Sequence, residues 1–99
     1  MSKVIFEVNY NVIPEKREDY IDAIRELKEL IKEKSIDDYL VLETKNRNQS
    51  NNFTEIFICD NEEQLGIIEE DENISEKVNS IMENFIVDGK ATYSTKIEI

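Results

Sequence analysis

The sequence predicts an α+β fold of order βαββαβ, a four-stranded antiparallel sheet with two helices on one face. Three observations carry this prediction. Apolar residues alternate with period two at residues 4–12, 39–45, 53–59 and 91–99, as strands require. After the first and third of these segments, apolar residues recur at helical spacing instead. The chain has 99 residues, enough for one modest core and too few for two, so residues 1–99 read as a single domain.

The first strand carries Val4, Phe6, Val8, Tyr10 and Val12 on one face and Ile5, Glu7, Asn9 and Asn11 on the other. Pro14 stops it and fits the first turn of a helix, where its missing N–H costs nothing. Over residues 15–34, Tyr20, Ile24, Leu27 and Ile31 form one apolar stripe. Glu18 and Asp19 near the start and Lys32 and Lys34 near the end complement the helix dipole. Residues 35–38 make a turn, and the strands at 39–45 and 53–59 flank a polar hairpin loop over 46–52.

Asp60 followed by Glu63 predicts an N-cap and capping-box partner for a helix running through Leu65 and Ile68. The acidic run 69–72 breaks it. A second helical segment puts Ile74, Val78, Ile81, Met82 and Phe85 on one side. Residues 87–90 read as a turn into the last strand, 91–99, where Tyr93, Thr95, Ile97 and Ile99 alternate with Thr92, Ser94, Lys96 and Glu98.

Right-handed crossovers turn this order into a ferredoxin-like sheet of spatial order 4-1-3-2. Two helices cover only one face. The other is expected to carry Ile5, Glu7, Asn9, Asn11, Lys96 and Glu98, with Val41 and Glu43 and with Phe53, Glu55 and Phe57 from the middle strands. That mixture is too apolar for a plain solvent face and too charged for a dry core. A homodimer in which two such sheets close into an α+β barrel resolves the conflict, with Glu7, Asn9, Glu43, Glu55 and Lys96 as its polar lining and Lys96 as counter-charge. The alternative is a solvent-exposed face with scattered apolar residues.

Composition removes whole classes of function. Twenty-three acidic residues against 12 basic ones leave a net charge of −11, which argues against nucleic acid or anionic lipid as partner. With no His, a Ser-His-Asp or Cys-His nucleophile and a His-ligated zinc or haem site are excluded, and one Cys cannot build a thiolate cage. Two glycines cannot supply a phosphate-cradling loop. The acidic tract between Asp60 and Glu76 lacks the ligand alternation and the glycine of a calcium loop. No cofactor and no metal are therefore expected. No stretch has the length of a membrane span, no signal peptide opens the chain, and the lone Cys59 forms no internal disulfide, so the expected location is the cytoplasm.

Several stretches carry a family resemblance: residues 12–20 (VIPEKREDY) after the first strand, Leu42-Glu43 before the hairpin, residues 53–56 (FTEI) with 60–63 (DNEE) beyond, and the closing 88–93 (DGKATY). Together they resemble the antibiotic-biosynthesis-monooxygenase-like proteins of the dimeric α+β barrel superfamily. The resemblance implies the fold and a homodimer. It also implies a pocket between helices and sheet for a small aromatic or apolar molecule, and cofactor-independent oxygenation or isomerisation as the reaction. The haem-degrading branch of the superfamily needs a proximal His that this chain lacks.

Tyr10, Tyr20 and Tyr93 are the candidate pocket residues, because the first and last strands are neighbours and Tyr20 faces them from the helix. A phenol can hydrogen-bond a substrate and steady developing oxyanion character without a metal. The competing reading makes them core aromatics. For the grouped carboxylates, acid–base chemistry competes with ion pairs that set dimer register. The reading from another class is a non-enzymatic dimeric interaction module whose interior is closed-packed.

Overall fold

The computed structural model describes residues 2–34, 38–45, 48 and 50–99. Strand β1 (Val4–Val12) leads through a 3-10 turn (Pro14–Lys16) into helix α1 (Arg17–Lys32); strands β2 (Tyr39–Glu43) and β3 (Asn52–Cys59) follow. Helices α2 (Glu62–Glu70) and α3 (Glu72–Phe85) then lead to strand β4 (Ile86–Ile97). The strands form one antiparallel sheet in the order β2-β3-β1-β4, which is the expected 4-1-3-2 read from its other edge. Of the expected turn at 35–38 and loop at 46–52, residues 35–37, 46, 47 and 49 lie outside the described residues.

Helix α1 forms where the stripe places it. Tyr20, Ala23, Ile24, Leu27 and Ile31 are all buried against the sheet. The second helical region splits as expected, with Asp71 extended between the two helices. Its side chain accepts from Ile74 N and pairs with Lys34 at 2.9 Å, tying the end of α1 to the start of α3.

Local readings shift in two places. The cap of α2 is Asn61 rather than Asp60: Asn61 Oδ1 accepts from Gln64 N at 2.9 Å, and Gln64 Oε1 accepts from Asp60 N at 2.8 Å. The cap is thus displaced by one residue, and Gln64 reaches back past it to the backbone of Asp60 in place of the expected Glu63 partner. The turn expected at 87–90 lies inside β4. Tyr10 pairs with Ala91 and Val12 with Ile86, so the intervening residues bulge, with Asp88 at φ 56° and Gly89 at φ 63°. Asp-Gly is turn chemistry, but here both flanks pair with the same strand.

A larger correction concerns the middle strands. Phe53, Glu55, Phe57 and Cys59 of β3, and Tyr39, Val41 and Glu43 of β2, lie on the helix-covered face with Val8 and Tyr10 of β1. Glu43 and Glu55 therefore do not line the open face. That face holds Ile5, Ile56, Ile58, Leu40 and Leu42, with Glu7 and Lys96 paired at 2.7 Å. Because side chains alternate with period two, choosing the wrong face for a strand moves its entire set. Both faces of β3 are partly apolar, so its own alternation does not choose between them.

Candidate functional site

Glu55 sits at the centre of the helix-covered face. In the row that crosses the sheet it is flanked by Val8 on β1 and Val41 on β2, and Tyr93 follows Val8 on β4. Its diagonal neighbours are Tyr10 and Tyr39, both long enough to reach it. Tyr10 donates its hydroxyl to Glu55 Oε2 at 2.7 Å, and Tyr39 donates to Oε1 at 2.5 Å. Tyr20, fully buried on α1, lies 2.7 Å from the Tyr10 hydroxyl. Since Tyr10 gives its proton to the carboxylate, Tyr20 is the donor of that bond. One carboxylate thus gathers three phenols from β1, β2 and α1.

The electrostatics follow from this placement. Glu55 is 5% exposed and forms no ion pair among the described residues. Burial raises its pKa above the usual carboxylate value, while the bonds from Tyr39 and Tyr10 act in the opposite direction by favouring the charged form. Burial raises the three phenols as well, and the Glu55 charge adds to the shift. They remain protonated donors at any ordinary pH.

A cavity of about 200 Å³ opens beside Glu55, between the sheet and helices α2 and α3. Phe6, Phe57 and Tyr93 line it from the sheet, Leu65 from α2, and Val78 and Met82 from α3. Its two acidic side chains are Glu55 in the wall and Glu69, an exposed residue of α2. Tyr93 stacks on Phe6 with ring centroids 6.1 Å apart and, on the edge strand of the sheet, is 58% exposed. An apolar cavity of about 150 Å³ holds a benzene-sized molecule, so this one accommodates a single ring or a short chain.

The expected tyrosine cluster is thus divided. Tyr10 and Tyr20 meet each other but do not line the cavity, whereas Tyr93 stands one row across and contributes its ring to it. Tyr39 and Glu55 complete the cluster, and neither was placed there by sequence reasoning. The aromatic stripe of Phe53 and Phe57 around Glu55 did not settle this, because Ile56 and Ile58 make the other side of β3 apolar as well.

The other polar candidates are bound up in structure. Glu43 accepts from Arg17 Nη1 at 2.5 Å and Nη2 at 2.9 Å, and Arg17 also reaches Asn51 and lies over the Phe53 ring. The guanidinium holds the Glu43 carboxyl at about 2, well below its usual range. Asn9 lies on the open face and binds Asn52, Thr54 and the Phe53 carbonyl. Cys59 is buried and unpaired, with a thiol pKa raised by burial. Among the described residues no helix is long and apolar enough to cross a membrane.

No family model and no curated protein matches the chain. Solved structures do. A conserved protein of unknown function from Bacteroides thetaiotaomicron, described as a possible oxidoreductase, superposes with a TM-score of 0.78 at 20% identity over 97% of each chain. An antibiotic biosynthesis monooxygenase matches with a TM-score of 0.76 at 19% identity over 100% of this chain and 99% of its own. A dimeric protein of unknown function and ferredoxin-like fold from Bacteroides fragilis gives 0.74 at 14% identity, covering 98% and 96%. The fold is ferredoxin-like. The resemblance to antibiotic-biosynthesis-monooxygenase-like proteins therefore holds at the level of fold, and the ferredoxin-like sheet with its helices is what the chains share.

Proposed function

We propose that this chain is a single dimeric domain that binds a compact, largely apolar molecule of about one ring in the cavity between the sheet and helices α2 and α3. The observation that carries the reading is Glu55, a carboxylate in the wall of an apolar cavity, held by two phenols and left without a cation among the described residues. A carboxylate makes about four hydrogen bonds; the phenols use two, leaving acceptor capacity for a ligand. Tyr93 closes one side of the cavity, while Tyr10, Tyr39 and Tyr20 fix the carboxylate. One fold neighbour is an antibiotic biosynthesis monooxygenase. By that analogy, the reaction is a cofactor-independent monooxygenation in which dioxygen takes two hydrogens from the bound molecule, leaving one oxygen atom on it and the other as water, with Glu55 accepting the substrate proton and returning it to that water.

The same reading makes the protein a homodimer closed over the helix-free face of the sheet, supported by exposed Leu40 and Leu42 there and by a fold neighbour described as dimeric. It places the protein in the cytoplasm, where a single buried thiol stays reduced. The net charge of −11 disfavours nucleic acid as partner.

Ligand-observed NMR with a panel of single-ring aromatics tests the cavity, using wild type and Val78→Phe, which fills it. Binding to wild type that disappears in a folded Val78→Phe supports the reading. No binding to wild type at millimolar concentration, or equal binding to both proteins, overturns it.

A further inference from the structure

The ligand's class follows from the charges around the cavity. Its titratable wall consists of Glu55, Glu69 and Tyr93, with no Lys or Arg among the described residues that line it. Glu55 is 5% exposed, and its two partners are neutral phenols. A buried carboxylate is costly until a cation accompanies it, and the described fold supplies none at this position. The partly buried acids among the described residues are each paired with a cation: Glu43 with Arg17, Glu7 with Lys96, Asp71 with Lys34. Among the described residues Glu55 is the buried acid, and it stands in the cavity wall.

Three aromatic rings, Phe6, Phe57 and Tyr93, line the same space. Aromatic faces attract cations through their quadrupole, and more strongly where water is excluded. An anion entering here meets two carboxylates and a chain of net charge −11; a cation is drawn by the same field.

We propose that the cavity selects a small organic cation, an apolar body of about one ring bearing a protonated amine, with Glu55 as its counter-charge and hydrogen-bond acceptor. This rests on the cavity being a ligand site and adds the chemistry that the ligand must carry. The ammonium donates to the lone pairs that Tyr10 and Tyr39 leave free. Its body lies among Leu65, Val78 and Met82.

The test compares benzylamine, benzyl alcohol and phenylacetate at pH 7 by isothermal titration, with contacts from the ring to the Met82 methyl group read by NMR. Benzylamine is expected to bind about tenfold or more tighter than benzyl alcohol, as a hydrogen bond to a charged group gives. Phenylacetate should be weakest, and benzylamine should show the Met82 contact. Glu55→Gln should erase the preference for the amine while keeping the alcohol.

Benzyl alcohol binding as tightly as benzylamine, with the Met82 contact present, overturns the cation and leaves the cavity reading intact. Benzylamine bound without that contact is held by the acidic surface, which also overturns the proposal. Binding by none of the three overturns the cavity reading and this one together. Should Glu55→Gln fail to fold, the wild-type ligand series still decides.

Discussion

Glu55 stays inside the protein because each of its oxygens has a phenol donor, and those donors are unequal in consequence. Tyr39→Phe deprives a buried carboxylate of its direct partner and is expected to cost about 1–3 kcal/mol in urea unfolding at pH 7. Tyr20→Phe removes a bond between two neutral phenols and should cost less, about 0.5–1.5 kcal/mol. Equal costs would mean that the charge is not where the network concentrates its energy. Two carboxylates also titrate with opposite sign. Glu43, held at about 2 by Arg17 against the usual 4.5, contributes stability that is present above about pH 4.5 and is lost as pH falls toward 2. Glu55 is shifted upward by burial, so the folded state holds a proton that the unfolded chain has released, and its contribution falls as pH rises through 4.5. Around it stand Tyr10 and Tyr39, and the cavity adds Glu69. The stability of Glu55→Gln is therefore expected to fall less than that of wild type as pH rises above 4.5, measured by urea unfolding across pH. Parallel profiles would show that Glu55 keeps an ordinary pKa. The face of Glu55 was not legible from its own strand, since Thr54, Ile56 and Ile58 on the other side are partly apolar too. Its neighbour Tyr39 opens a strand beyond a turn, with nothing in spacing to aim it at residue 55.

Among the elements, the two glycines separate a backbone requirement from an accident of sequence. Gly66 lies in α2 and Gly89 in the β4 bulge, and an added Cβ meets no atom within 4 Å at either position. Space is therefore equal and only φ differs. Gly89 is at +63°, where an L side chain is strained, so Gly89→Ala should cost about 1 kcal/mol. Gly66→Ala relieves the helix of a flexible residue and should stabilise by about 0.5–1 kcal/mol. Thermal melts of the two variants moving in the same direction would contradict this account. Strand and helix identities were legible throughout, because the period of burial is a local property. Ends were less so. The cap of α2 moved by one residue because Asp60 and Asn61 are both good caps and Glu63 and Gln64 both good partners. Residues 87–90 read as a turn since Asp88-Gly89 favours positive φ; that the chain resumes pairing with β1 on both sides is a long-range fact.

For the whole molecule, the surface that calls for a partner is the helix-free face. Leu40 and Leu42 are 47% and 49% exposed there, beside partly exposed Ile5, Ile56 and Ile58. β4 is an edge strand with Tyr93 and Ile97 each 58% exposed on its other side. A second copy over the helix-free face covers Leu40, Leu42 and the three isoleucines, which is the basis for proposing the homodimer. Leu42→Lys places a charge among the exposed apolar residues of this face and is expected to weaken self-association about tenfold or more in sedimentation velocity, since burying an unpaired ammonium costs several kcal/mol. A wild type that sediments as a monomer at 100-fold varied concentration would remove the dimer from the reading. Lys96→Ala should act in the same direction, more weakly, because Lys96 already satisfies Glu7 within one chain and is mostly exposed.

The sequence by itself determined the kinds and order of the elements, and through right-handed crossovers the strand order 4-1-3-2. Alternation and helical stripes are written residue by residue, and the permitted connections are few. It also determined that no imidazole chemistry is present and that the charge is strongly negative. Only the tertiary structure decided which side of β2 and β3 meets the helices. That choice depends on pairing between segments more than 40 residues apart in the chain, Tyr10 with Phe53 and Val8 with Glu55. With it came the site: the same choice that takes Glu55 off the open face encloses it with three phenols beside an apolar cavity.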